Sequence, residues 1–139
     1  MINTAAEADM PPKRPNVLFA EDEVLLRLMV TDVLRQNGFQ VLEAKDAAEA
    51  ISILRTMPVD VVVTDLHMQV AGDGMEVARH VRAHCPGVSL LLAAATTPPI
   101  TEPFLFDAFF LKPHQPEDIV AWIARRHEST SRREDSSFA

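Results

Sequence analysis

The sequence contains one cysteine, Cys85, so no internal disulfide can form and nothing indicates a secreted protein. No apolar run approaches the length that crosses a membrane, and the amino terminus lacks the apolar core of a signal peptide. Lys and Arg number 13 against 20 Asp and Glu, and the net charge of −7 does not favour general nucleic-acid binding. These absences predict a cytoplasmic protein that binds neither membrane nor nucleic acid.

The composition is typical of one globular domain, with 47% hydrophobic and 24% charged residues in a chain of 139. Residues 1–15 are polar, contain three prolines and show no periodicity, which predicts a flexible leader. Residues 129–139 are also polar and are predicted to be a disordered tail. The ordered domain is therefore expected over residues 16–128.

Short apolar segments alternate with helical patterns along this domain. Strands are predicted at residues 16–20, 39–43, 61–65, 88–95 and 106–111. Helices are predicted at about 22–37, from the Asp46–Glu49 capping box, from near Asp73 and from Pro116, and the expected core stripe of the first is Leu26, Met29, Val30 and Val33. The alternation predicts an α/β fold with a flavodoxin-like, doubly wound parallel sheet of five strands in the order 2-1-3-4-5.

Charged residues follow three of the predicted strands. Glu21 and Asp22 follow the first strand, Asp65 ends the third, and Lys112 follows the fifth. The strand order places the first and third strands side by side, and open parallel sheets bind ligands at this edge. Three clustered carboxylates need a cation or a proton, and hard oxygen ligands suit Mg²⁺. Because aspartate can form an aspartyl-phosphate and lysine suits phosphate, we predict metal-assisted phosphoryl transfer onto a carboxylate.

The chain resembles a response-regulator receiver domain of two-component signalling. The resemblance rests on the charged residues at these strand ends, on the Asp73-Gly74 pair and on Lys112-Pro113. The resemblance covers about Asn16–Glu128. It implies a partner that is a histidine kinase or a histidine phosphotransfer protein. It also implies that the chain takes up a phosphoryl group without being an enzyme, apart from slow autodephosphorylation at most.

The resemblance assigns a role to each residue of the site. Asp65 is the expected phosphoacceptor, and Lys112 is expected to contact the phosphoryl group. Mg²⁺ is expected to bind Glu21, Asp22, Asp65 and the backbone carbonyl of His67. The Lys112-Pro113 peptide bond is expected to be cis.

The sequence departs from the family pattern where the fourth strand ends. The family usually has Thr or Ser there, and its hydroxyl binds the phosphoryl group. The alignment places Ala94 at this position, and a shift by one residue gives Ala93 or Ala95, so the hydroxyl is missing in each case. Thr96 is expected to substitute in part if its loop folds back.

Two further departures concern the region that switches in the family. Phe109 aligns with the switch aromatic and lacks a phenolic hydroxyl. The segment Thr96–Pro103 contains three prolines, which cannot hold a regular helix, so the fourth helix of the family is expected to be shortened or missing.

The leading interpretation is a receiver domain that is phosphorylated on Asp65 and acts through protein contacts without an output domain. The alternative is a pseudo-receiver, an interaction module with little phosphorylation-dependent switching, which Ala94 and the altered helix favour. A Mg²⁺-dependent phosphohydrolase of the haloacid dehalogenase type is disfavoured, because His67 stands where that family has a second aspartate. The downstream partner and the oligomeric state stay open.

Two other sequence features bear on metal and nucleotide binding. His80 and His84 are four residues apart on the predicted third helix and could share a metal ion, but the sequence offers no evident third ligand. A solvated helix face is therefore favoured. No glycine-rich phosphate loop follows the first strand, which disfavours nucleotide or flavin binding.

Overall fold

Strands and helices alternate along the part of the chain that the computed structural model describes, residues 14–69, 73–95 and 105–136, with side chains to residue 127. The elements are β1 (Asn16–Ala20), α1 (Val24–Gln36), β2 (Gln40–Ala44), α2 (Ala47–Thr56), β3 (Val61–Asp65), α3 (Asp73–His84), β4 (Ser89–Ala94), β5 (Ala108–Leu111) and α4 (Pro116–Ser136).

The strands form one parallel sheet in the order β2-β1-β3-β4-β5, which confirms the predicted topology. All five residues of β3 are buried, as expected for the central strand of a sheet with helices on both faces. Side chains alternate between those faces along each strand. One face packs Leu18, Val62 and Leu90 against α2 and α3, and the other packs Phe19, Val63 and Leu91 against α1 and α4.

Most predicted boundaries lie within two residues of the observed ones. The Asp46 cap of α2 is present, since its Oδ1 accepts the Glu49 amide at 2.8 Å. Strand β5 begins at Ala108, not at Phe106, because the Asp107 carboxylate takes the Leu90 amide that a longer strand would use, at 2.8 Å.

The core stripe of α1 differs from the predicted one. Val30 and Leu34 are fully buried and Leu26 packs beside them, so the buried line follows i, i+4 spacing. Met29 lies off this line and is 52% exposed, so its assignment to the core is wrong. Leu25, at 78% exposure, lies on the same outer face.

Three expectations concern chain ends and the segment between β4 and β5. The leader up to residue 13 and residues 96–104, including Thr96 and the predicted loss of a helix at Thr96–Pro103, lie outside the described residues. Helix α4 is assigned to Pro116–Ser136, and the disordered tail expected over residues 129–139 stays a prediction. After Pro116 the sequence has neither proline nor glycine to end the helix. None of the described helices is long and apolar enough to span a membrane.

Gly74 brings the start of α3 against the end of β3. Its amide donates to the Leu66 carbonyl at 2.9 Å. A Cβ at this position would lie 2.0 Å from the Asp65 carbonyl oxygen and 2.6 Å from the Leu66 Cα. Both are backbone atoms, so no rotamer change relieves the overlap. A residue without a side chain is therefore required beside the strand end that carries Asp65.

Replacing this glycine tests the close approach. Gly74→Ala is expected to lower the free energy of unfolding by about 1–3 kcal/mol or more, because the backbone itself must move. Gly87→Ala is the matched control, since a Cβ there has no neighbour within 4 Å, and its expected change is within about 0.5 kcal/mol. Urea denaturation of both variants measures the difference, and equal losses would contradict the packing argument.

Candidate functional site

The carboxyl ends of β1, β3 and β5 converge at one edge of the sheet. Here the amides of Glu21, Leu66 and Lys112 donate to carbonyls of neighbouring strands at 2.9, 2.8 and 2.8 Å. These hydrogen bonds hold the backbone at or beside each charged residue. The side chains that follow therefore start from fixed positions, and they reach over the end of the sheet towards one another.

Three carboxylates and one ammonium group meet there. Carboxylate oxygens of Glu21, Asp22 and Asp65 lie within 4.8 Å of one another. Glu21 is 2% exposed and Asp65 is 9% exposed. The Nζ of Lys112 lies 2.7 Å from Glu21 Oε1 and 3.0 Å from Asp65 Oδ2. The structure thus brings together the four charged side chains that the sequence placed in one site.

The cluster has more negative than positive charge, and the pKa values of its members show the consequence. Burial raises the pKa of Asp22, and the hydrogen bond and negative charge of Glu21 raise it further. Burial alone would lower the pKa of Lys112, but its hydrogen bonds to Glu21 and Asp65 outweigh that effect and raise it. A divalent cation would relieve the remaining repulsion, and clustered carboxylate oxygens are ligands that suit Mg²⁺.

Arg27 supports the cluster from α1, and the sequence analysis missed it. Its Nη1 donates to the Glu21 carbonyl at 2.7 Å, and its Nε lies 3.2 Å from Glu43 Oε1 on β2. Arg35 holds the other oxygen of Glu43 at 3.1 Å. The sequence does contain a signal for this contact. Arg27 and Arg35 are eight residues apart on the first helix, and Glu43 is the acidic residue of the second strand.

The register of β3 and β4 corrects the position of the missing hydroxyl. Asp65 pairs with Ala93, and paired residues of parallel strands share a face. Ala94 lies on the other face, in a small apolar cluster with Leu66 and Leu92. The residue beside Asp65 is therefore Ala93 and not Ala94. Since both are alanine, the predicted absence of a hydroxyl stands.

The remaining predicted residues take separate positions. Phe109 is partly buried against the same small cluster that contains Ala94. His67 has an exposed side chain two residues past Asp65. The Lys112-Pro113 peptide bond is cis, as predicted.

Comparison with known proteins identifies the family. The model of the response regulator receiver domain matches residues 17–124, and this chain belongs to that family. A DNA-binding response regulator MtrA of Mycobacterium tuberculosis is 30% identical over 121 residues, which cover 84% of this chain and 52% of the relative. The transcriptional regulatory protein PdtaR of the same species is 34% identical over 79 residues, 56% of this chain and 37% of the relative. The chain thus spans about half or less of the length of these curated relatives.

Solved receiver domains have the same fold. A CheY-like receiver domain from Methanospirillum hungatei aligns with a TM-score of 0.75 at 14% identity, over 87% of this chain and 99% of that one. The response regulator TrrA from Thermotoga maritima, solved in complex with Mg(2+)-BeF, aligns with a TM-score of 0.71 at 19% identity, over 80% and 97%.

Removing the negative charge of Asp22 tests the electrostatics of the cluster. Its pKa lies above the ordinary 3.8, so ionising Asp22 costs more in the folded chain than in the unfolded chain. That cost is present at neutral pH and disappears as the pH falls below the unfolded pKa. Without metal, Asp22→Asn is therefore expected to be more stable than wild type at pH 7, and the gain should vanish near pH 3.

The neighbouring Glu23→Gln is the matched control, since Glu23 is exposed and outside the cluster. Chemical denaturation at both pH values in metal-free buffer measures the two gains. An equal gain at pH 7 in both variants would show that general surface charge, and not the cluster, is responsible.

Proposed function

We propose that the chain is a phosphoacceptor receiver domain that takes a phosphoryl group on Asp65 with Mg²⁺. A histidine kinase or histidine phosphotransfer protein is the proposed donor, and the signal passes on through protein contacts in the cytoplasm. The observation that carries the proposal is the Asp65 carboxylate, nearly buried and held between a lysine and two further carboxylates. Membership of the receiver family and the Mg(2+)-BeF complex of TrrA support it.

The proposed chemistry forms one bond and breaks one. A carboxylate oxygen of Asp65 attacks phosphorus, and the P–N bond of the donor's phosphohistidine breaks, leaving the imidazole on the donor. Bound Mg²⁺ would neutralise charge on the phosphoryl oxygens. Glu21 and Asp22 would hold it together with Asp65 and the His67 carbonyl. Lys112 is already within 3.0 Å of Asp65, so its positive charge is in place before the reaction.

In this role the chain is a substrate of phosphoryl transfer and not an enzyme. The curated relatives named above are longer, and MtrA is described as DNA-binding. Output through protein contacts therefore stays our prediction for this protein.

A second candidate, the pseudo-receiver, is favoured by one observation. The β4 residue beside Asp65 is Ala93, and the next residue is also alanine, so neither carries a hydroxyl that could follow the phosphoryl group. In a pseudo-receiver of this kind, Asp65 is phosphorylated, but phosphorylation changes the conformation of the protein surface only weakly.

Intact-protein mass after incubation with acetyl phosphate and Mg²⁺ tests the proposed function. Wild type is expected to gain one phosphoryl group, and Asp65→Asn is expected to gain none because the nucleophile is lost. Asp32→Asn, an exposed aspartate on α1, is the control and should behave as wild type. Phosphoryl uptake by Asp65→Asn at the wild-type rate would remove Asp65 from its role.

Restoring the hydroxyl tests the second candidate. With a beryllium fluoride phosphoryl mimic, Ala93→Thr is expected to show larger NMR shift changes around Phe109 than wild type. One charge-assisted hydrogen bond is worth about 1.5–3 kcal/mol, enough to change a population ratio roughly tenfold or more.

Ala94→Thr is the matched control, since it adds the same group on the opposite face. Ala93→Ser serves if the larger side chain disturbs the fold. A full response in wild type that neither Ala93 variant enlarges would count against the pseudo-receiver.

A further inference from the structure

The backbone of Glu21 is held from two sides at the point where β1 leads into the acidic cluster. Its amide donates to the Ala44 carbonyl on β2 at 2.9 Å, and its carbonyl accepts a hydrogen bond from Arg27 Nη1 at 2.7 Å. That carbonyl belongs to the peptide unit that joins Glu21 to Asp22, and a peptide unit is planar. Arg27 therefore fixes the plane that carries the Asp22 Cα, from which the Asp22 side chain starts.

Arg27 is itself held by β2. Its Nε lies 3.2 Å from Glu43 Oε1, and Glu43 directly precedes Ala44 in the strand. Only 16% of the Arg27 side chain is exposed, so its long stem is packed as well as hydrogen-bonded. The two hydrogen bonds use different nitrogens of one rigid guanidinium group. A lysine has a single nitrogen on a flexible stem, so it cannot make both bonds with the same geometry.

Arg35, two turns further along α1, offers a direct comparison. Its Nη2 lies 3.1 Å from the other carboxylate oxygen of Glu43 and donates to the Val41 carbonyl at 3.0 Å. Its side chain is 46% exposed. The two arginines share one acidic partner and carry the same charge. The hydrogen bonds of Arg35 end on β2, however, whereas those of Arg27 continue to the backbone of the acidic cluster.

The charge of Arg27 and its hydrogen bonds act in opposite directions on a bound cation. A positive charge beside the cluster repels Mg²⁺. An oriented carboxylate binds the ion more tightly, because Mg²⁺ requires near-octahedral geometry. Groups that hold metal ligands in place typically contribute about 10–100-fold to metal affinity. Since Glu43 at 3.2 Å compensates part of the Arg27 charge, we expect orientation to be the larger of the two effects.

We propose that Arg27, anchored by Glu43, is a positioning residue that orients the Glu21-Asp22 peptide for Mg²⁺. The inference rests on the proposed function, since it concerns the metal ion that the acidic cluster binds there. It adds that the metal affinity depends on an ion pair between α1 and β2, outside the carboxylates themselves. Replacing Arg27 therefore changes the Mg²⁺ concentration at which the site fills, and not the chemistry at Asp65.

Titration of the full chain with Mg²⁺, followed by NMR shifts of the backbone amides, tests this role. Arg27→Lys keeps the charge and removes the two-sided hydrogen bonding, so its Mg²⁺ affinity is expected to be lower by about tenfold or more. Arg35→Lys is the matched control, since it disturbs the same glutamate without touching Glu21, and it should bind Mg²⁺ like wild type. With acetyl phosphate, Arg27→Lys should need about tenfold more Mg²⁺ for half-maximal phosphorylation and reach the wild-type rate at saturation.

Arg27→Met serves if Arg27→Lys does not fold. It removes a positive charge, which alone would strengthen Mg²⁺ binding, so a weaker affinity reports lost orientation. Wild-type affinity in the Arg27 variants, or an equal loss in Arg35→Lys, would overturn the positioning role and leave the proposed function intact. So would a lower rate at saturating Mg²⁺ with unchanged affinity, which indicates a purely structural role. A wild type that binds no Mg²⁺ would overturn the metal assignment of the proposed function and this inference with it.

Discussion

The ion pair of Lys112 with both Glu21 and Asp65 is the interaction on which this edge of the sheet depends. A carboxylate buried as fully as Glu21 costs several kcal/mol unless a charge or hydrogen bonds compensate it. The compensating ammonium comes from a residue 91 positions away in the chain, at 2.7 Å. That contact forms only when β1, β3 and β5 end at the same level, so correct sheet assembly and burial of the acids require each other.

The same ion pair compensates only part of the negative charge of the site. One lysine faces three carboxylates, and the raised pKa of Asp22 shows that the last negative charge is poorly compensated. A structure selected only for stability would replace Asp22 with a neutral residue. Arg27 does not compensate this charge directly, since it donates to the backbone carbonyl of Glu21 and not to its carboxylate oxygens. The folded chain therefore fixes the backbone of Glu21 and gathers the carboxylate oxygens of the cluster around Lys112.

Sequence reasoning predicted the strand order and the charged cluster because both depend on local signals. Each site residue directly follows a short apolar run, and the topology rule then brings the strand ends together. It failed at Ala93 and Ala94 because three successive alanines carry no periodicity, and a slip of one residue changes the face of the sheet. Gly74 shows a second limit, since the backbone atoms it approaches belong to Asp65 and Leu66, which only the folded structure places beside it.

On the proposed function, the position of Ala93 decides how phosphorylation is read. A hydroxyl at that position would couple the phosphoryl group to the sheet through a directional bond. Without that hydroxyl, the phosphoryl group is coupled to the sheet through the positive charge of Lys112. This ammonium group already contacts Glu21 and Asp65 and would also attract the new phosphoryl oxygens. Phe109 already packs against the cluster that contains Ala94 without phosphorylation. An electrostatic response at the carboxyl ends of β3 and β5, more than a rearrangement around Phe109, is the change that a partner of this chain would recognise.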